Sequence, residues 1–258
     1  MRMMLSLEAL QRASPDGVAA LLDQFIENGG TYIHVLAPMA DETSSLSDAS
    51  ILQAVSDWLS THLDSNPKVF CTISKKERLR DSDGYSSSAN LLTKTELIRG
   101  DVFDALYGVL FGLEKGEGEP QSALEQATEA LKYLHASGLL IGLRSLNGDE
   151  PLTEFIHESG LDYIPYLELS AEPYTQISQH LDLNPKRKFI FHIPHLSMLS
   201  EPGFENSLDV LKNFSFAWSY APTSAMELER FITWFASISI TNAPPEPVAE
   251  DAVASKLR

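Results

Sequence analysis

Short apolar runs and amphipathic helical stretches alternate along almost the whole of this 258-residue chain, and that alternation limits its fold more than any other feature. Apolar runs of strand length, each followed by a helix, read as parallel strands buried on both faces. Predicted strands fall at Tyr32–Leu36, Val69–Ser74, Tyr107–Leu113, Leu139–Arg144, Tyr163–Leu169, Lys188–Ile193 and Phe214–Ser219. A first helix fits Ser14–Asn28, with Ser14 as cap, Pro15 in the first turn and Gly29-Gly30 as the stop. Ile51, Leu52, Val55, Trp58 and Leu59 share one face of a helix over Asp48–His62. Leu124, Ala127, Leu131 and Leu134 do so over Ser122–Ser137, which Gly138 closes. Further helices are expected at Thr95–Asp104, Glu150–Ser159, Tyr174–Leu181, Asn206–Asn213 and Ala225–Ile238, and the polar stretch from Lys75 to Asn90 reads as a loop.

A weak strand at Arg2–Leu5 brings the count to eight. Eight βα units at this length suit an α/β fold of the (β/α)8 TIM-barrel kind, whose closure leaves no exposed sheet edge. The alternative, an open doubly wound sheet, should carry a Gly-rich phosphate fingerprint after its first strand, and none is present. The expected layout is a single barrel domain over residues 1–240, with a disordered C-terminal tail at 241–258 marked by Pro244, Pro245 and Pro247.

The balance of 19 Lys and Arg against 36 Asp and Glu gives a formal charge of −17, which argues against nucleic acid or an anionic membrane as partner. The single cysteine, Cys71, excludes an internal disulfide and sits in an apolar run, as a buried structural thiol would. No apolar stretch reaches the length of a membrane span, and Met1–Leu5 is too short for a signal-peptide core, so a cytoplasmic location is expected.

Particular segments add a family likeness. The run from Gly29 to Met39 and the run Lys68–Lys75 resemble the second and third strands of the aldo-keto reductases, which read G-x-x-x-x-D-T-A-x-x-Y and end in T-K. Leu131–Ser145 resembles the family's L-x-x-x-G-x-x-x-x-I-G-x-S-N, with Gly138 and Ile141-Gly142 in the same order. Tyr166-Leu167-Glu168 resembles Q-x-E of the sixth strand, and Phe191-His192-Ile193-Pro194 resembles A-Y-S-P of the seventh. The likeness runs from about Leu5 to Phe235 and implies a barrel of aldo-keto-reductase type.

It also implies that the family's catalytic Asp, Tyr, Lys and His fall on His34, Met39, Lys75 and Gly112, so that Lys75 alone keeps its identity. The residues that hold the nicotinamide amide fall on Arg144, Ser145 and Tyr166, and the aromatic that stacks on the ring falls on His192. The phosphate-gripping segment falls on Tyr220–Ser224, without its glycine. Met39 cannot donate a proton, and general acid catalysis is commonly worth about 10²–10⁴ in rate.

The expectation is therefore a barrel that has lost conventional NADPH-dependent carbonyl reduction and works without a cofactor. It would perform acid/base chemistry (isomerisation, dehydration or cyclisation) on a small, largely hydrophobic molecule. The expected catalytic residues are His34 as acid or base, with Lys75 and Tyr166 facing a developing oxyanion. Tyr32, Met39, Arg144, Glu168, His192, Trp218 and Tyr220 are expected to bind substrate. His34 could equally be a hydrogen-bonded core residue, and Arg144 could be paired with Glu114 or Glu168. His192 and His195 beside Glu168 or Glu172 give only a weak metal signal, so no metal is expected. The alternatives are a diverged NADP-dependent aldo-keto reductase and a non-catalytic subunit that binds a protein partner.

Overall fold

Each strand of the molecule pairs in parallel with the next in sequence, and the last closes on the first to give an eight-stranded barrel. The strands are β1 (Met3–Ser6), β2 (Tyr32–Leu36), β3 (Lys68–Ile73), β4 (Leu106–Leu113), β5 (Leu140–Ser145), β6 (Ile164–Glu168), β7 (Phe189–Ile193) and β8 (Ser215–Tyr220). The structure, a computed structural model, describes residues 1–10, 15–36, 45–73, 88–102, 105–113, 121–145, 155–170 and 173–240. The expected strand at the N-terminus is present one residue later than the sequence suggests. It supplies both closing pairings, Met4 with Tyr32 on β2 and Met3 with Trp218 on β8.

The helices among the described residues are α1 (Pro15–Glu27), α2 (Ser45–Thr61), α3 (Ser88–Asp101), α4 (Gln121–Ala136), α5 (Pro173–Leu183), α6 (Pro202–Phe214) and α7 (Ala225–Ile240), with a helical turn at 155–158 between β5 and β6. α3 begins at Ser88, well before the expected Thr95. Its inner stripe runs through Leu92, Thr95, Ile98 and Val102. Thr95 is fully buried, so the stripe is too polar to show as a hydrophobic period, yet its spacing of three to four residues is helical. Half of the expected helix at Glu150–Ser159 and the whole of 241–258 lie outside the described residues.

Strand alternation divides the apolar side chains into two cores. Outward-facing residues such as Val35, Cys71, Ile141, Phe191 and Trp218 pack against the helices. Inward-facing Met4, Tyr32, Phe70, Leu110, Tyr166, Ile190 and Ala217 fill the barrel. Two interior glycines make room for that filling: a side chain on Gly108 would strike Phe70 and the Leu140 carbonyl, and one on Gly142 would strike Leu110. Gly138, at φ +95°, ends α4 in the left-handed conformation that glycine adopts without strain.

Candidate active site

Reactive groups of a βα barrel stand where the strands end, because the βα loops leave from that face. In this chain the loops after β2, β3, β4 and β5 lie outside the described residues, as does half of the loop after β6, and Met39 and Lys75 fall in the undescribed segments. The strand ends themselves carry an interior layer that is polar rather than apolar. Ser6, His34, Thr72, Tyr166, His192 and Ser219 all fall at inward positions and are all buried.

His34 occupies a closed seat. It has no solvent exposure, its Nδ1 shares a hydrogen bond with Ser6 Oγ at 2.8 Å, and its Nε2 shares one with Thr72 Oγ1 at 2.6 Å. Burial, with Arg144 and His192 adding to it and Glu8 opposing it, pulls His34 down to about 4. At neutral pH about one ring in a thousand carries the second proton. Both nitrogens are engaged inside the buried layer, the arrangement of the hydrogen-bonded core histidine that the sequence left open beside the acid/base role.

Glu8 and Arg144 lie closer to solvent than this buried layer. Glu8 follows the end of β1, and its Oε2 accepts from Arg144 Nη1 at 2.9 Å. The two side chains keep 16% and 24% of their exposure, so this pair sits at the lip of the barrel and not in its depth. Burial works to raise the Glu8 carboxyl, but His34, Arg144 and His192 outweigh it and hold Glu8 below the usual carboxylate range. The Arg144 guanidinium also lies 5.2 Å from the Tyr166 ring centre.

Behind this pair, Tyr166 and His192 stack with centroids 5.6 Å apart and planes 24° from parallel. His192 Nε2 is 4.0 Å from Glu8 Oε1, and its Nδ1 is 3.4 Å from Ser219 Oγ. Ser219 Oγ in turn lies 3.5 Å from the Tyr166 hydroxyl. Burial depresses His192, with Arg144 adding to the effect and Glu8 and Glu168 opposing it. Burial pushes the Tyr166 phenol well above its ordinary value, so it remains protonated throughout the physiological range. Glu8, His192, Ser219 and Tyr166 thus form a chain of polar atoms from the lip inward, and Glu168 stands exposed at the end of β6 beside it.

Three expected substrate-binding residues are placed elsewhere. Tyr32 opens β2, at the opposite end of the barrel, between Tyr107 and Phe216 and hydrogen-bonded by Arg2. Trp218 and Tyr220 point outward from β8, Trp218 against Phe204 and Trp234 and Tyr220 against Phe231. The alternation of β8 explains this, since Ala217 and Ser219 hold the inward positions.

The sequence reading missed Glu8, Ser6, Thr72 and Ser219. A period of two from Met4 through Ser6 to Glu8 was the available signal, masked by the weakness of the first strand. Arg144 is paired with Glu8 and also feels the Glu168 carboxylate, whereas Glu114, the other partner the alternative reading named, lies outside the described residues. Among the described residues no three His, Cys, Asp or Glu side chains gather as metal ligands, and no helix is long and apolar enough to cross a membrane.

No model of a known protein family matches the chain, and no curated protein matches it in sequence. Solved structures do match. An aldo-keto reductase from Klebsiella pneumoniae in complex with NADPH superposes with a TM-score of 0.57 at 11% identity, over 95% of this chain and 92% of that one. A thermostable aldo-keto reductase bound to the inhibitor epalrestat gives 0.64 at 13% identity, over 91% and 89%. An endo-β-N-acetylglucosaminidase from Cordyceps militaris gives 0.56 at 14%, over 94% and 91%. The chain folds as a (β/α)8 barrel of the aldo-keto-reductase type. These neighbours correct the expectation of a site that works without a cofactor, because the Klebsiella enzyme has been solved with NADPH and with NADP and acetate.

Two places in this chain decide how such a nucleotide would be received. At the lip, Arg144 gives Glu8 one N–H and keeps further donors, which suits an amide or anionic oxygen. At the first turn of α7, Glu227 Oε2 already accepts from the Thr223 N–H at 2.7 Å and from Thr223 Oγ1 at 2.8 Å. That carboxylate is held below its usual range by these bonds and fills the helix end where an anion would otherwise rest. The lip's remaining donors suit an amide or anionic oxygen, and the helix end would receive a phosphate only if Glu227 left Thr223.

Proposed function

We propose that this chain is a diverged NADP-dependent oxidoreductase that reduces a carbonyl group on a small organic molecule bearing a carboxylate. The observation that carries this reading is the Glu8–Arg144 pair at the lip of a barrel of aldo-keto-reductase type. When bound, the nicotinamide nucleotide supplies hydride to the carbonyl carbon.

The chain's own residues bind the substrate and deliver the proton. Arg144 presents a planar fork whose unused donors match a carboxylate, and Glu8 fixes its orientation. The new alkoxide oxygen takes its proton from His192, whose Nε2 faces Glu8 and the mouth. Glu8 favours the charged imidazole and burial opposes it. Ser219 and the neutral Tyr166 fix the other edge and face of the ring. His34, Ser6 and Thr72 hold β1, β2 and β3 in register below.

The test is NADPH consumption with 4-carboxybenzaldehyde and with benzaldehyde. The carboxylated aldehyde should be preferred, and Arg144→Gln should raise its KM about ten- to a hundredfold while leaving benzaldehyde nearly unchanged. Because burial places His192 below the ordinary histidine value, kcat should rise as the pH falls below about 6.5. Absence of turnover with either aldehyde, or an intact preference in Arg144→Gln, would show the reading to be wrong.

A further inference from the structure

A cavity of about 250 Å3 opens at the other end of the barrel, between the first residues of β5, β6 and β8 and the turn that leads from α5 into β7. Its apolar wall is formed by Leu140, Ile141, Ile164 and Phe216. Its rim is the run Lys186-Arg187-Lys188, three consecutive cations in a chain whose net charge is −17. Asp162 also lines the cavity and offsets one of these charges.

The three cations are held differently. Lys186 and Lys188 are exposed, and Lys188 gives one N–H to the Asn213 carbonyl at 2.6 Å. Arg187 is only 6% exposed; its Nη1 donates to the Tyr163 carbonyl at 3.1 Å and its guanidinium lies 4.1 Å from the Tyr163 ring centre. Arg187 Nε and the Tyr163 hydroxyl have no hydrogen-bond partner among the described residues, although both belong to residues of the cavity wall. Buried polar groups are nearly always satisfied, and a charged donor left unpaired is costly. An anion with an apolar body answers all of these features together.

We propose that this cavity binds a small organic anion, a phosphate or carboxylate on an aromatic or branched apolar body. Its charged end would meet Lys186, Arg187 and Lys188, and its body would lie against Leu140, Ile164 and Phe216. The cavity falls below the roughly 300–1,000 Å3 of drug-sized sites, so the occupant is small. It enters at the strand starts, whereas Arg144 and His192 stand at the strand ends, and the two sites are separate.

Calorimetric titration with phenyl phosphate tests the assignment. Saturable binding is expected, about tenfold weaker in the double variant K186Q/K188Q and unchanged in R144Q. Both lysines are exposed, so the double variant should fold normally, with an unchanged melting curve. Inorganic phosphate, which lacks the apolar body, should bind more weakly. Three results would overturn the proposal: no saturable binding, undiminished binding in the double variant, or binding lost in R144Q, which would place the phosphate at the mouth.

Discussion

The two ends of this barrel are built from opposite materials. At the N-terminal end Tyr32, Phe70, Tyr107 and Phe216 form a packed aromatic cluster, with Arg2 over Tyr32 and Phe216 and Lys68 4.1 Å from the Tyr107 ring centre. At the C-terminal end Ser6, His34, Thr72, Tyr166, His192 and Ser219 form a hydrogen-bonded layer beneath the Glu8–Arg144 pair. Tight apolar packing stabilises the first end through burial and is insensitive to pH. The second end gives up such burial for polar groups that satisfy one another, and this makes it responsive to charge. Stability is therefore expected to reside mainly at one end and chemistry at the other.

The largest effect should come from breaking the aromatic end. Phe70→Ala would empty a space bordered by Tyr32, Tyr107 and Phe216 and cost about 3–5 kcal/mol in urea unfolding, while turnover per folded molecule stays unchanged. A comparable loss of turnover would show that the two ends are coupled.

Acid should affect the polar end next most strongly. His34 titrates at about 4 when folded and near 6.5 when unfolded. Below pH 6.5 the unfolded chain therefore takes up a proton that the folded chain refuses. Stability falls as the pH drops from 6.5 towards 4, on the order of 3 kcal/mol in all for this group. His34→Gln should remove that part of the slope in urea melts at a series of pH values. His180, pulled to about 4 by burial and by Arg187, supplies a separate contribution in the same window, which persists in His34→Gln. An identical slope in wild type and His34→Gln would place the sensitivity elsewhere.

The smallest effect concerns the helix end beside the mouth. Glu227→Gln removes the carboxylate that occupies the first turn of α7. It should cost about 0.5–1 kcal/mol of stability and tighten NADPH binding roughly threefold, both read from thermal and calorimetric titrations. Weaker NADPH binding in this variant would mean that Glu227 serves the nucleotide rather than excluding it.

The barrel was largely legible in the sequence because period and spacing are local properties. The strand at Tyr32–Leu36 and the start of α7 at Ala225 follow directly from them. The site was less legible because it depends on which face a residue occupies in a closed sheet. Trp218 and Ser219 are neighbours in sequence, yet one packs on helices and the other joins the polar interior. Glu8 was missed because a four-residue strand offers too little alternation to fix its direction. The partner of Arg144 lies 136 residues away in sequence, and only closure of β1 onto the sheet brings it near.

The measurement that bears most directly on the account is calorimetric titration of the purified chain with NADPH, in wild type and in Arg144→Gln. The account predicts saturable binding in the micromolar range for wild type and the same affinity in the variant, because Arg144 serves the substrate carboxylate and not the nucleotide. No heat of binding at millimolar NADPH, from a protein whose melting curve shows it folded, would contradict it.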